Sequence, residues 1–580
     1  MDLQIDPKHF WTALTILILG FTFLTLPMGC SEKSSDTPPP PTTQTAPADM
    51  VLRGGKIATV DDSFSIAEAL AVTDDKFVFV GANPDVEPFI GPNTQVIELD
   101  GKLVVPGLID AHGHLMMYGT SLASLDCRGA TTYQQIVEMV SAKAQQLEPG
   151  SWILGNNWDQ NDWDVKTLPN HQALTHAAPE NPVWLVRIDA HAACANLKAL
   201  EIAGVNAQTP SPEGGEILLD SNGQPTGVFI DNAMALVESH VPQPTPTEAQ
   251  NHLENAANGC LAVGLTGMHD AGISLQDLAN YKTLIDDDRL GIRINAMLSD
   301  PGADTDLAEF MQKNRIESYG NHFLSVKCMK LLIDGALGSR GAYMFDPYSD
   351  RPDTSGLLTV PYERCLEMSK YALQNNFQMS IHAIGDQANH LVLNAYEEAL
   401  KEHPKDDHRF RVEHSQIMTE ADIARYKPLG VLASMQPTHA TSDMYWIDDR
   451  IGPERSKYSY AWRSFLDSGV IIPCGSDFPV EKNNPMLGFY AAITRQDPAG
   501  YPADGWHPKQ KMTRQEALKG FTLWAATAAF QEDILGSIEV GKLADLVVLS
   551  QDILTIEPKE ILTTEPLYTI VAGKIAYQKQ

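Results

Sequence analysis

The sequence predicts a (β/α)8 barrel with a large insertion, plus a small β-sandwich domain that both ends of the mature chain build together. Two observations predict this architecture. The middle of the chain contains eight apolar, strand-like runs, most of them separated by helix-like segments such as HLVLNAYEEALKE. Alternation of strands and helices favours a parallel sheet, and eight such units favour a closed barrel. Short alternating strands with Gly-Lys turns occur near both ends of the chain, which favours one β-domain made from the two ends.

Composition excludes some classes of function. The chain has 580 residues, of which 43% are hydrophobic and 20% charged, as in ordinary globular proteins. Its net charge of -32 argues against a nucleic-acid partner, because phosphate binding requires a basic surface. Beyond Cys30, the six cysteines are widely spaced and include no C-x-x-C pair, so we expect most of them to be buried apolar residues.

Residues 1–30 are typical of a signal peptide. The apolar run at 11–26 is short for a membrane span of about 20 residues but suits a signal-peptide core. Cys30 follows Gly29 and resembles the lipobox cysteine of bacterial lipoproteins, which becomes lipidated. An uncleaved signal anchor is the alternative. Both alternatives predict an exported protein of the cell envelope, facing the periplasm. Residues 31–49, rich in Pro, Ser and Thr, then predict an extended linker.

The domain boundaries follow from the spacing of the strand-like runs. Residues 50–106 and 537–580 form the predicted β-domain, and residues 107–536 form the barrel. The first two barrel runs are too far apart for a single helix, so about 116–260 must hold an insertion. Within it, PVWLVRIDAH predicts a strand, and GGEILLDSNGQPTGVFID predicts a hairpin that turns at Asn222-Gly223.

Several barrel runs end in histidine or aspartate. The first run, LVVPGLIDAHGH, ends with His112 and His114, which fall on the same side of an extended strand. Later runs end at or near His382, His414, His439 and Asp477. Because the active site of such barrels lies at the carboxyl ends of the strands, these side chains are expected to meet there. Imidazole and carboxylate groups in one place favour a metal site.

Lys330 lies inside the run VKCMKLLIDG, an unusual position for a charge. By alternation it shares a face with Asp334, whereas Lys327 faces the other way. Burial lowers the pKa of a lysine and makes the neutral amine available. A neutral amine can add CO2 and form a carbamate, an anion that can bridge two cations. A simple ion pair with Asp334 is the structural alternative.

The motifs PGLIDAHGH, KLLIDGALGSRGA, HAIGDQA, RVEHSQI, MQPTH, GSDFP and GSIEVGKLADLVVL occur in this order. With them the chain resembles the metal-dependent amidohydrolase superfamily, and more narrowly amidohydrolase family 3, which includes N-substituted formamide deformylase-like proteins. The resemblance implies two divalent ions. One would lie on His112, His114 and Asp477, the other on His382 and His414, with carbamylated Lys330 and a hydroxide between them. Zinc suits these ligands best, and manganese, iron and cobalt remain open.

The resemblance also implies a reaction. The expected enzyme hydrolyses a non-peptide C–N bond of a small molecule, an N-acyl or N-formyl amine or amide, through a metal-activated bridging hydroxide. Asp477 would act as base and then as acid, with His382 and Lys330 as the other catalytic residues.

A second group of residues matches polar or aromatic positions that recur in the family, and each could contact substrate or orient a ligand: Trp158, Arg187, His191, Asp334, Arg340 and His439. Packing is the alternative for each of them. Asp231 stands where many relatives carry glutamate, so no role is predicted for it. The remaining loop and helix histidines are expected at the surface: His171, His176, His240, His403 and His408.

Two alternatives stay open. One is a mononuclear deaminase or cyclic-amide hydrolase of the same superfamily, although Gly385 stands where deaminase relatives carry glutamate. The other is a tethered binding protein without catalysis, which the full ligand set opposes. A homo-oligomer is also open.

Overall fold

The computed structural model of this protein describes residues 46–580. The predicted signal peptide, Cys30 and the linker as far as residue 45 lie outside this range. Ala48 and Asp49 already belong to the folded part, since their N–H groups donate to the carbonyl oxygens of Phe89 and Val72. Within residues 46–580, no helix combines the length and the apolar character needed to cross a membrane.

All eight predicted barrel runs are confirmed. Seven form consecutive parallel strands of one sheet: Leu108–Gly113, Leu265–Ile273, Arg293–Ser299, Leu324–Leu332, Gln378–Ala383, Arg411–His414 and Leu432–Ser434. The eighth run, residues 470–477, is not a regular strand. It nevertheless closes the barrel, because Met435 pairs with Cys474 on one side and the Ala111 N–H donates to the Cys474 carbonyl at 2.9 Å on the other. An additional strand, Ile316–Tyr319, runs antiparallel to Leu324–Leu332.

Helices surround this sheet, as predicted for a (β/α)8 barrel. Those that lie between successive barrel runs or follow the last one include Leu275–Asp286, Leu307–Asn314, Tyr362–Gln374, Asp386–Glu402, Glu420–Leu429, Trp462–Asp467 and Arg514–Gly520. Pro246–Leu261 precedes the second barrel strand and begins with a capping box between Thr245 and Glu248. Two further helices follow the seventh and eighth runs at the barrel mouth: Pro437–Asp443 and Pro485–Thr494.

The small β-domain combines both ends of the described chain, as predicted. One sheet contains Met50–Arg53, Ala69–Thr73, Lys76–Gly81 and Gln95–Glu98. In the other, Leu103–Pro106 lies between Lys56–Ala58 and Leu546–Leu549, with Pro566–Val571, Lys574–Gln578 and Ile66–Ala67 farther out. Leu52 and Val72 of the first sheet share a buried core with Val104 and Leu546 of the second. The two sheets therefore form a sandwich.

The insertion forms its own six-stranded sheet. Its strands are Leu125–Asp126, Ile153–Trp158, Val183–Arg187, Ala192–Ala195, Gly215–Leu219 and Pro225–Asp231. The last two form the predicted hairpin, and Gly223 adopts the positive φ of 74° that the turn requires. The insertion also contains the helices Tyr133–Ala144, His171–Ala177, Leu197–Ala203 and Ala235–Glu238.

Candidate metal centre

Four of the predicted histidine ligands converge at the carboxyl ends of the barrel strands. His112 and His114 follow one another at the end of the first strand, and their ring centroids are 5.4 Å apart. The ring of His414 lies 4.9 Å from that of His112 and 4.5 Å from that of His382. The four imidazoles therefore form one continuous cluster, although they come from three different strands.

Asp477 completes this cluster from the eighth run. Its Oδ1 lies 3.0 Å from Nε2 of His114 and 3.5 Å from Nε2 of His112. Its Oδ2 lies 3.4 Å from Nε2 of His439, which places His439 at the edge of the same site. Asp477 and His414 both have positive φ, 61° and 73°. Such backbone conformations are costly for non-glycine residues and concentrate at functional sites.

The donor atoms fit a metal ion. Ligand atoms of His112, His414 and Asp477 all lie within 4.8 Å of one another. Within residues 46–580, His112 Nε2, His382 Nε2 and Asp477 Oδ1 are buried without a hydrogen-bond partner. Buried polar atoms are normally bonded, so several unpaired ones in a single cluster of histidine and aspartate side chains fit the binding of a cation. Burial lowers the pKa of His112 to about 4 and the pKa of His382 and His414 well below the usual value. These three imidazoles are therefore neutral, as metal ligation requires.

Lys330 is buried beside this cluster, in the strand Leu324–Leu332. Burial lowers the pKa of its ammonium group, and its charge in turn lowers the pKa of His112, His382 and His414. Lys327 faces the other way and lies over the ring of Phe530, as alternation predicted. The amine of Lys330 is thus buried on the interior face of its strand, near the predicted metal ligands.

The insertion contributes His191. Its ring lies 5.1 Å from that of His382, and its Nδ1 lies 2.6 Å from Oδ1 of Asp231. Asp231, for which the sequence predicted no role, therefore orients His191. Oδ2 of Asp231 lies so close to Gly335 and Gly341 that a Cβ atom on either glycine would come within 2.4 Å of it. The lack of side chains at these two positions makes room for the carboxylate.

Asp334 supports the site through the backbone. Its carboxylate accepts the N–H groups of Tyr343, Ile384 and Gly385 at 2.8–3.0 Å, and its Oδ1 lies 3.5 Å from Nε2 of His382. The ion pair between Asp334 and Lys330, which was the alternative to carbamylation, is not formed. Asp334 instead fixes the loop that follows His382.

Three of the residues that were predicted to contact substrate or orient a ligand form other contacts in the structure. Trp158 packs inside the insertion and donates from Nε1 to the carbonyl of Leu185 at 2.8 Å. The guanidinium group of Arg187 is buried between Asp159 and Asp189, and that of Arg340 pairs with Asp350. Packing accounts for Trp158 and ion pairing for Arg187 and Arg340, and contact of these side chains with substrate stays a prediction.

One surface prediction was wrong. His408 is buried because both of its ring nitrogens find partners: Nδ1 accepts from the Phe410 N–H at 2.9 Å, and Nε2 donates to the Leu429 carbonyl at 2.8 Å. The cysteine prediction is confirmed for the six cysteines within residues 46–580, all of which are buried and free.

The sequence reasoning missed Glu413, which lies fully buried beneath the cluster. Its Oε2 accepts the Nδ1–H of His112 at 2.5 Å, and its Oε1 accepts from Ser380 Oγ and Arg411 Nε, both at 2.6 Å. Strand alternation places Glu413 and His414 on opposite faces, so only one of the two was expected in the site. The backbone at His414 departs from regular strand geometry with a positive φ of 73°, and both side chains contribute to the site.

Glu413 fixes the tautomer of His112 that leaves Nε2 free for a metal. Glu413→Gln keeps the volume but removes the charge, so we expect metal affinity to fall about 10- to 100-fold, as for other carboxylate partners of ligating histidines. A chelator competition titration measures this change. The matched control is Glu402→Gln, a half-exposed residue of a surface ion pair. Unchanged metal affinity in the correctly folded Glu413→Gln protein would contradict this role.

Comparison with known proteins agrees with this geometry. The family Amidohydro_3, described as an amidohydrolase family, matches residues 95–577. The chain is 33% identical over 581 residues to Protein LONG AFTER FAR-RED 3 of Arabidopsis thaliana, with 98% of each chain covered. It is 29% identical over 545 residues to an N-substituted formamide deformylase of Arthrobacter pascens, covering 92% of this chain and 98% of that protein. The structure is similar to that of an uncharacterized metal-dependent hydrolase of Pyrococcus horikoshii, with a TM-score of 0.70, 25% identity, and 88% and 99% of the two chains covered.

Proposed function

Because this chain belongs to the amidohydrolase family and is a metal-dependent hydrolase, we propose that it hydrolyses a non-peptide C–N bond of an N-acyl or N-formyl amine or amide. The observation that carries the proposal is the convergence of unpaired, buried donor atoms from His112, His382 and Asp477 at the barrel mouth. The similarity to an N-substituted formamide deformylase supports the bond type. We further propose two divalent ions, zinc first among them, held by His112, His114, His382, His414 and Asp477 together with a carbamate on Lys330.

The residues around the site define the remaining roles. When bound, the divalent ions would polarise the carbonyl oxygen of the substrate and lower the pKa of the attacking water towards 7. Asp477 lies within 3.5 Å of three imidazoles, so its carboxylate can take the proton from the water and deliver it to the leaving nitrogen. His191 lies next to His382 and His439 lies next to Asp477, where they can contact the substrate.

Two features weigh against the alternatives. At Gly385, where deaminase relatives carry glutamate, an added Cβ atom would lie 2.0 Å from the Tyr343 carbonyl oxygen. Because no side chain fits at position 385, the glutamate of the deaminases cannot occur there, and the chain lacks the acid that their reaction requires. A binding protein without catalysis would have no need for a carboxylate that touches three imidazoles, whereas a hydrolase requires a group that moves a proton.

Asp477→Asn tests the reaction. The amide keeps the shape of the side chain but cannot move the proton, so we expect turnover of N-formyl and N-acyl amines to fall at least 1,000-fold, the upper part of the range attributed to loss of a general base. The assay is amine release by residues 46–580, with and without a chelator, and metal content is measured in parallel. Chelation should abolish turnover by the unchanged protein, and re-addition of zinc should restore it. Turnover that survives complete metal removal would refute the proposal.

Lys330→Met tests the carbamate. Methionine fills the buried space but cannot add CO2, so metal content is expected to fall by about half or more, with loss of activity. Added formate or acetate should restore part of both, because a small carboxylate can take the place of the carbamate. Lys327→Met, which changes a lysine on the outer face of the same strand, serves as the control. Full metal content and activity in Lys330→Met without added carboxylate would exclude the carbamate.

We also propose that the protein is exported and anchored by a lipid on Cys30. The apolar run 11–26 and the Gly29-Cys30 pair support this location. Expression in a bacterium with labelled palmitate should label the full chain, and Cys30→Ser should abolish the label and release the protein from the membrane. Membrane attachment without label would indicate the signal anchor instead.

A further inference from the structure

A cavity of about 410 Å³ lies on the same face of the barrel as the candidate metal centre. It is enclosed by residues of the helices Pro437–Asp443 and Pro485–Thr494, which follow the seventh and eighth barrel runs, and by Arg128 of the insertion. Its volume falls within the range of small-molecule sites. The mechanism above does not use this cavity.

The cavity is next to the Asp477 side of the metal centre. Thr438 in its wall directly precedes His439, whose Nε2 is 3.4 Å from Asp477. Arg128 donates to the carbonyl oxygens of Pro479 and Val480, at 2.6 and 3.2 Å, and so fixes the loop that follows Asp477. Glu481, four residues after Asp477, also lies in the wall.

The chemistry of the wall favours an uncharged, mainly apolar occupant. Apolar surface comes from Leu487, Ala491 and Pro498 and from the rings of Tyr445 and Tyr490. The charges balance, since Arg128 and Lys482 face Glu481 and Asp497. Arg128 is already engaged with two carbonyl groups, and Asp497 accepts the hydroxyl of Tyr445. Neither a cation nor an anion is therefore preferred.

One wall group indicates a ligand directly. Oγ1 of Thr438 is buried and has no hydrogen-bond partner within residues 46–580, and the residue is only 8% exposed. A buried hydroxyl without a partner costs free energy unless something bonds it. A hydroxyl or amide group on the occupant would satisfy it.

We propose that this cavity binds the substituent on the leaving nitrogen: a neutral, ring-sized or branched apolar group that carries one hydrogen-bonding group for Thr438. This inference rests on the proposed C–N hydrolysis. Asp477 must deliver its proton to the leaving nitrogen, so that nitrogen lies beside Asp477. The group attached to it then points towards the helices that follow the seventh and eighth runs, where the cavity lies. The amine side of the substrate is the side that this protein selects.

The test measures hydrolysis of N-formyl derivatives that differ only in the amine. The probes are N-formylcyclohexylamine, its 4-hydroxy derivative, the mono-N-formyl derivative of 1,4-diaminobutane, N-formylglycine, and formamide. We expect the two cyclohexyl compounds to have the highest kcat/KM and the 4-hydroxy compound the lowest KM. A higher kcat/KM for either charged probe would overturn the inference.

Two variants test whether this cavity determines the preference for the amine. Ala491→Phe fills the cavity and should raise KM for the cyclohexyl compounds at least tenfold while leaving formamide unchanged. Thr438→Val keeps the volume and should abolish the advantage of the 4-hydroxy compound, without an effect on cyclohexyl itself. The matched control is Val165→Phe in a separate cavity of the insertion, of about 330 Å³. Melting temperature and metal content establish that each variant is folded.

The outcomes separate the two proposals. Hydrolysis of none of the five probes, by a protein with its full metal content, would refute the proposed hydrolysis of N-formyl amines. Hydrolysis of the cyclohexyl compounds that neither Ala491→Phe nor Thr438→Val changes would overturn the cavity assignment alone.

Discussion

Closure of the barrel between its first and last runs is the constraint on which the site depends. The Asp477 N–H donates to the His112 carbonyl at 2.7 Å, so these two residues of the candidate metal centre are joined through the backbone. The carboxylate of Asp110 strengthens this closure by accepting from the N–H and hydroxyl groups of Ser476 and from the N–H of His112. Even a small shift between the first and the eighth barrel runs would separate Asp477 from His112 and His114.

A buried polar layer lies directly beneath the cluster. Arg411 donates to Glu413, to Ser434 Oγ and to the Ala111 carbonyl, and its remaining nitrogen lies 2.8 Å from Nδ1 of His269. This layer joins strands from across the barrel, and through Glu413 it determines which nitrogen of His112 faces the centre. Buried ionic networks of this kind contribute little net stability, because desolvation offsets their Coulombic attraction. Their value here is geometric, since they hold the ligands in place before a metal binds.

Much of this site could be predicted from the sequence because strands obey simple rules. Alternation placed Lys330 inside and Lys327 outside, and apolar runs ending in histidine or aspartate marked all eight barrel positions. Residues whose roles depend on backbone exceptions or long-range contacts could not be predicted in this way. Glu413 lies next to His414, whose positive φ departs from regular strand alternation, and Asp231 contacts His191, which lies 40 residues away along the chain. His408 was predicted at the surface because of its loop context, but in the structure it is buried and forms hydrogen bonds with two backbone groups.

The same distinction separates the reaction from its specificity. The predicted metal ligands come from the barrel runs, whose positions hydrogen bonding between neighbouring strands fixes tightly. The cavity beside Asp477 is instead enclosed by helices that follow the strands, by the loop 495–498 and by one arginine of the insertion. Such segments can change their side chains without disturbing the barrel, because they contribute no hydrogen bonds to its sheet. A family can therefore keep its metal ligands while its members differ in substrate, and the specificity of such a protein depends on the side chains of these segments and not on the ligands.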